Sequence, residues 1–380
     1  MAPALRIGCG FDSGSVEVDD LSDPLNIRLR LRDDNAADIR QWFHFRLMGA
    51  AQQPVRMVFE NASTATYPDG WPEYRAVASY DRREWFRVTT RFENGQLVIE
   101  HTPEHDSTWY AYFEPYSHER HQELIGRAAM SPFAVVDSLG ATVQGREIDR
   151  ITIGTPAPGK PVVWVTARQH PGETMAEWFV EGFLDRLLDA ADPVARCIRE
   201  RAVVHVVPNM NPDGAVLGNL RTNAAGRNLN REWLDPDAVA SPEVFLVRRE
   251  MERTGCALFL DIHGDESLPY VFFSTADDVP DLPAELTEVQ ARFIAAVQAA
   301  SPDFQTEYGY ENGRFGPDTL KLASKWVAHR FKCLSLTLEM PFKDNVNLPD
   351  ERVGWSAARS QRLGEAMLPA VLGHLDGLAG

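Results

Sequence analysis

Cysteine is scarce: the chain has 380 residues and four cysteines, Cys9, Cys197, Cys256 and Cys333, with no CxxC pair among them. That spacing offers neither a disulfide framework nor a cysteine zinc site. Basic residues are also short. Against 55 Asp and Glu stand 38 Lys and Arg, a net charge of −17, which argues against a general role on nucleic acid or on an anionic membrane. No apolar run is long enough to span a bilayer. The opening MAPALRIGCGFDSG has no basic segment followed by a long apolar one, so no signal peptide is expected. Reduced thiols and no export signal point to the cytoplasm. Internal repeats and low-complexity segments are missing too.

What is present is ordinary for a globular protein: 44% hydrophobic and 24% charged residues. At ~150 residues per domain, the length implies two or three domains. The first third has the period of strands. Leu25, Ile27, Leu29 and Leu31 alternate with Asn26, Arg28, Arg30 and Arg32, and Phe43, Phe45, Leu47 and Val55, Met57, Phe59 repeat the pattern. Asn94-Gly95 between 87–92 and 96–101 is a hairpin signal. Many short strands separated by turns predict an antiparallel β-sandwich over 1–114. From Phe113-Glu114-Pro115-Tyr116 onward, strands at 150–153, 161–167, 202–207, 257–262 and 333–340 alternate with helices at 174–189, 241–253, 283–300 and 356–372. In the helix at 241–253, Ser241 is the expected N-cap and Pro242 the first residue. That order predicts an α/β domain over 115–380, its sheet covered on both faces.

Four segments of the second domain place polar residues at or near predicted strand ends, where open α/β sheets bind ligands. His170-Pro171-Gly172-Glu173 puts two metal-ligand types three residues apart across a tight turn. It also reads as a Glu at a helix N-terminus beside an incidental histidine. His263, in Asp261-Ile262-His263-Gly264-Asp265, is a third ligand candidate or a satisfied strand-end histidine. Two histidines and one carboxylate would leave the open position of a catalytic rather than structural zinc. Between them, Asn219 to Trp233 reads NLRTNAAGRNLNREW. Its arginines and asparagines suit a carboxylate, or a solvated turn. Glu339 ends a largely apolar strand in which Leu334, Leu336 and Leu338 face away from Ser335, Thr337 and Glu339. A carboxylate there needs a partner; it is a general-base candidate or half of a salt bridge.

Taken in order, these four segments resemble the M14 zinc metallocarboxypeptidases. Within them the chain is similar to the cytosolic carboxypeptidase subfamily, bacterial branch. The likeness extends to Gln41-Trp42-Phe43-His44-Phe45-Arg46, Tyr112-Phe113-Glu114-Pro115-Tyr116-Ser117, HPGET at 170–174, NMNPDG at 209–214 and Gly218-Asn219-Leu220-Arg221. It covers nearly the whole chain. It implies an N-terminal β-sandwich followed by an α/β/α carboxypeptidase domain with a mixed sheet.

The resemblance implies one Zn2+ held by His170, Glu173 and His263, with Glu339 as general base and then general acid. It implies that Arg221 stabilises the oxyanion. Asn230 and Arg231 would hold the free C-terminal carboxylate of a peptide or protein. Cytosolic members often favour C-terminal glutamate, for which Lys321, and after it Lys325, are the cation candidates. Surface lysines on a helix are the competing reading of both.

The chain departs from the family at Asn228, where many relatives have an Asp that orients a zinc-bound histidine. It departs again at Asp265-Glu266 after His263-Gly264. The family's substrate-capping tyrosine has two candidates, Tyr308 and Tyr310. Two further functions stay open: a zinc amidohydrolase of N-acyl amino acids, and an inactive carboxypeptidase-like binding module.

Overall fold

The computed structural model describes residues 4–311 and 313–378. Its first part packs two five-stranded sheets face to face. One runs in the order Arg6–Gly8, His44–Met48, Ser107–Ala111, Val77–Ser79, Phe86–Arg87, and the other Glu17–Asp20, Ile27–Arg30, Val55–Phe59, Gln96–His101, Thr89–Glu93. Ile27 and Leu29 are buried while Arg28 and Arg30 are exposed, as alternation demands. Phe43 meets Phe59 across the sandwich at 4.8 Å, and Phe45 stacks on Tyr110 at 5.4 Å. Asn94 and Gly95 both have positive φ (52° and 79°) and close the hairpin between Glu93 and Gln96.

Two details differ from the sequence reading. Ile27–Arg30 pairs with Val55–Phe59 in parallel, so the sandwich is not wholly antiparallel. Leu25 lies in a 3-10 turn, Pro24–Asn26, and is 59% exposed. The proline at its start takes that residue out of the strand.

The second part is built on a seven-stranded mixed sheet. The order is Ala134–Ala141, Glu147–Ile153, Val203–Val207, Val162–Ala167, Leu258–Asp265, Leu334–Pro341, Phe272–Ser274. The four strands from Val203–Val207 to Leu334–Pro341 are parallel and the flanking pairs antiparallel. Side-chain alternation divides the core between the faces. Trp164 and Phe259 pack with helices Pro242–Thr254 and Ala323–Phe331. Val163, Val165, Leu258, Leu260 and Leu336 pack on the other face with Thr174–Leu187 and Ala357–Ala366. Two of the three polar residues on the Glu339 strand are satisfied within the fold: Ser335 Oγ donates to Ser324 O at 2.6 Å, and Thr337 bonds Ser324 Oγ at 2.7 Å.

The single helix expected at 356–372 is two, Ala357–Ala366 and Leu368–Leu378. Pro369 has no N–H for the Glu365 carbonyl, and its ring crowds that carbonyl. Arg186 takes up the freed oxygen instead, at 2.7 Å. Ser241 does precede Pro242–Thr254, but its hydroxyl does not cap the helix; it bonds Glu232 and the Asp237 carbonyl. The helices Thr174–Leu187 and Ala357–Ala366 touch at paired glycines. A Cβ on Gly182 would fall 2.1 Å from Gln361 O, and one on Gly364 2.1 Å from Phe179 O.

One apolar core runs through both parts. Tyr112 stacks on Phe342 at 4.6 Å. The Glu114 carbonyl accepts bonds from Thr174 Oγ1 (2.7 Å) and Trp178 Nε1 (3.1 Å), docking the sandwich exit on the first helix after the HPGE turn. Among the described residues no helix is long and apolar enough to cross a membrane.

Candidate active site

Three parallel strands end side by side at the site. Arg168 leaves the first of them, Val162–Ala167, with a left-handed backbone (φ 57°) that turns the chain sharply. Its buried guanidinium fixes that turn. Nε donates to Pro171 O (3.0 Å), and Nη1 to Tyr116 O (2.9 Å) and Glu177 Oε2 (2.6 Å). His170 and Glu173 are thereby held on one side, Glu173 just ahead of helix Thr174–Leu187. Gly172 lies against the next loop, where a Cβ would come within 2.9 Å of Leu220 O. The NMNPDG motif is scaffolding behind this turn: Asn209 Nδ2 bonds Glu177 Oε2 at 3.1 Å and Asn211 Nδ2 bonds Gln169 O at 3.0 Å.

The second and third strands bring His263 and Glu339 into direct register as parallel neighbours. His263 Nδ1 lies 2.7 Å from Glu173 Oε2, His170 Nδ1 2.6 Å from Glu173 Oε1, and the two Nδ1 atoms 3.2 Å apart. Among the described residues this is the one group of three or more His, Cys, Asp or Glu that could hold a metal ion.

The outer ring nitrogens have partners of their own. His263 Nε2 faces the Asp261 carboxylate at 2.9 Å, and His170 Nε2 faces Asn228 Oδ1 at 3.1 Å. Both partners can accept an Nε2 hydrogen, which leaves the two Nδ1 atoms as the ones able to offer lone pairs to a cation. Two ring nitrogens and a carboxylate converge, and a cation bound there would take the place of any hydrogen between them. Such a donor set fits a divalent cation.

The electrostatics agree. Burial and Arg221 push His170 down to about 4, keeping it a neutral ligand. Burial opposes charge on His263, but Asp261 and Glu173 overcome it and hold the ring well above its ordinary value. The carboxylates thus call for positive charge at this point. Asp261 is itself fixed by Thr166 Oγ1 (2.9 Å) and Gln169 Nε2 (2.7 Å), and Gln169 by Trp233 Nε1 (2.8 Å).

These residues open on a cavity of about 670 Å³ that also takes in Tyr67, Arg221, Asn230, Arg231, Glu266, Tyr310, Arg314, Phe315 and Glu339. Glu339 is 7% exposed and its Oε2 has no partner among the described residues. Burial pushes its carboxyl well above the usual range. Arg221 lies over the Tyr67 ring at 5.2 Å and Arg231 over Phe315 at 5.3 Å. Asn230 is locked by its Oδ1, which accepts from Ala323 N at 2.8 Å. A larger cleft of about 1190 Å³ lies between the sandwich and the first helices. Among the described residues it holds no such ligand group, which makes the smaller cavity the candidate site.

Several sequence expectations are corrected here. Lys321 does not line the cavity: its ammonium pairs with Asp318 at 2.8 Å, three residues back in the turn Gly316–Lys321, and its side chain is 45% exposed. Lys325 is buried against Asp278 and the Thr275 carbonyl, a structural cation. The cavity takes in Arg314 instead, its guanidinium 4.3 Å from the Tyr310 ring centroid. Of the two tyrosines, Tyr308 is 46% exposed and stacked on Tyr270. Tyr310 faces the cavity and donates to Asp265.

The roles of Asp261 and Gln169 were missed. For Asp261 a signal existed, because a residue two before His263 on a strand shares its face. Arg314 sits in a loop with no periodicity to mark it.

Comparison with known proteins agrees with this geometry. Residues 7–113 match the model of the cytosolic carboxypeptidase N-terminal domain, and 120–354 that of zinc carboxypeptidase. A metallo-carboxypeptidase from Burkholderia cenocepacia is 55% identical, with a TM-score of 0.96 over 98% of this chain and 99% of that one. A metallo-carboxypeptidase from Pseudomonas aeruginosa, in complex with (2-guanidinoethylmercapto)succinic acid, is 44% identical, with a TM-score of 0.94 over 98% of this chain and 100% of that one. Cytosolic carboxypeptidase 6 of Mus musculus is 29% identical over 68% of this chain and 53% of its own length. The chain belongs to the M14 zinc carboxypeptidases, hydrolases acting on peptides, and pairs that catalytic domain with a cytosolic carboxypeptidase N-terminal domain.

Proposed function

We propose that this protein removes C-terminal residues from peptides or proteins with one Zn2+ held by His170, Glu173 and His263. The observation that carries the reading is the pair of Nδ1 atoms converging on Glu173, in register with Glu339 across a strand pair. When bound, zinc lowers the pKa of water to about 7 and polarises a carbonyl. Glu339 takes a proton from the attacking water and returns it to the leaving amine, as its unpartnered oxygen and raised pKa suit it to do. Arg221 donates to the developing oxyanion. Asn230 and Arg231 bind the substrate's terminal carboxylate, which makes the reaction exopeptidic.

The finer reading is a preference for an acidic last residue. Arg221, Arg231 and Arg314 all line the cavity, and none forms a carboxylate ion pair among the described residues. Arg231 answers the α-carboxylate. Arg314, which adds to burial and Arg221 in lowering the pKa of Arg231, answers a second carboxylate on the side chain.

The test is a set of peptides differing only in the last residue, beside N-acyl amino acids, with zinc and with chelator. Peptide cleavage lost on chelation and in Glu339→Gln supports the reading. Turnover of acyl amino acids alone would replace it with the amidohydrolase, and turnover unchanged in Glu339→Gln would remove the mechanism. For the preference, Arg314→Ala should raise KM for a Glu-terminal peptide by roughly tenfold or more, an ordinary loss for a charge-assisted pair. Lys321→Ala should leave it unchanged.

A further inference from the structure

The loop that carries Arg221 is not held by its own domain alone. Asp34, from the sandwich, reaches across and is 5% exposed. Its Oδ1 accepts from Leu220 N at 2.6 Å. Its Oδ2 accepts from Arg221 N at 3.0 Å, Thr222 N at 2.9 Å and Thr222 Oγ1 at 2.9 Å. Three successive backbone N–H groups thus point at one carboxylate, the arrangement that makes an anion-binding nest.

The neighbours of Asp34 extend the grip. Asn35 and Asn219 bond each other through Asn219 Nδ2 to Asn35 Oδ1 (2.7 Å) and Asn35 N to Asn219 Oδ1 (3.1 Å). Asn35 Nδ2 donates to Ala224 O at 2.8 Å. Gly226 passes so close to the Ala36 carbonyl that a Cβ would lie 2.4 Å from it.

The other end of Arg221 is set by the same domain. Its guanidinium rests on Tyr67, and Tyr67 is fixed by Gln41, whose Oε1 accepts Tyr67 N (2.9 Å) and whose Nε2 donates to Tyr67 O (3.0 Å). The backbone of Arg221 is therefore clamped by Asp34 and its side chain floored by Tyr67. Both contacts come from the sandwich, and neither touches the metal ligands.

We propose that Asp34 is a positioning residue for catalysis: through its clamp on residues 220–222 it aims Arg221 into the cavity, so that the sandwich supplies part of the active-site geometry. The proposal rests on the oxyanion role given to Arg221 above. A donor to the oxyanion acts on the transition state, so misplacing it lowers kcat with little change in KM.

The test is a double-mutant cycle in the full-length zinc enzyme, with Asp34→Ala, Arg221→Ala and the pair, assayed on the best peptide of the screen. Bound zinc and Tm are measured for each. Arg221→Ala should lower kcat by about 10²–10³-fold, the usual loss for one oxyanion donor. Asp34→Ala should lower kcat by roughly tenfold or more with KM within about twofold, while in the Arg221→Ala background it should cost less than about twofold. Zinc content should stay at one per chain.

Multiplicative losses, a loss confined to KM, or loss of zinc would overturn the clamp while leaving the carboxypeptidase reading standing. Absence of peptide cleavage in the wild type would instead remove that reading. If Asp34→Ala does not fold, the cycle runs with Asp34→Asn. That variant keeps the shape of the side chain but turns an N–H toward backbone donors, and the same outcomes decide.

Discussion

His121 offers a pH-dependent stability that can be isolated from every other group. It sits on helix His118–Met130, 2% exposed, between two carboxylates: Nδ1 is 2.6 Å from Glu177 Oε1 and Nε2 3.0 Å from Asp149 Oδ2. Burial pushes its pKa down, but Glu177 and Asp149 outweigh burial and lift it to about 9. A group whose pKa is raised on folding stabilises fully below its unfolded value, near 6.5, and loses that contribution as pH climbs through the folded value. A lift from 6.5 to about 9 corresponds to roughly 3 kcal/mol. At roughly 2 cal/mol/K of unfolding entropy per residue, that is about 4–5 °C in Tm.

The assay is thermal unfolding of the wild type and of His121→Gln at a series of pH values from 6 to 10. The wild type should melt higher at pH 6.5, and the gap should narrow by roughly 4–5 °C as pH passes 9. Taking the difference cancels the titrating groups remote from His121; His118, stacked on it at 5.9 Å and held low by burial and by His121, changes with the substitution and is removed from the comparison by making His118→Gln in both backgrounds. A gap that stays constant across the range would refute the reasoning, because His121 would then be neutral in the folded protein throughout.

Three further outcomes follow from the same structure. Gly182→Ala should lower Tm sharply, since its methyl would meet the Gln361 carbonyl at 2.1 Å and force two helices apart; overpacking of this kind costs about 1–3 kcal/mol or more, and an unchanged melting curve would contradict the contact. Asn228→Asp should tighten zinc binding by roughly 10-fold or more, because a charged acceptor on His170 Nε2 raises ligand basicity; competition with a chelator measures it. Zinc removal should lower Tm as well as abolish turnover, since a ligand of the folded state alone stabilises it by mass action.

The sequence made His170, Glu173, His263 and Glu339 visible because each stands at or just beyond the end of a strand, and strands carry a period. His263 and Glu339 stand at the ends of apolar runs, and the alternation of Leu334, Leu336 and Leu338 already oriented Glu339. The break at Met367 was equally there to be read in Pro369. The cavity wall was not legible. Lys321 stood out as a cation near the right place, yet a partner three residues back takes its charge. Arg314 has no pattern around it. Asp34 was beyond reach for a different reason: its four bonds go to residues about 186 positions away along the chain, and no local period reports a contact between domains.

The register of His263 with Glu339 has a consequence for how this enzyme can change. The register of this parallel pair fixes those two side chains side by side. The connection, from Glu266 to Cys333, contains Tyr310, Arg314 and Phe315, which line the cavity. In the reading proposed above, Arg314 is thus set on a stretch of chain separate from the metal ligands and Glu339. The stretch that carries Tyr310, Arg314 and Phe315 can be exchanged to alter which last residue is accepted, provided that Phe272–Ser274, which pairs with the Glu339 strand, and Ala323, whose N–H holds Asn230, stay in place.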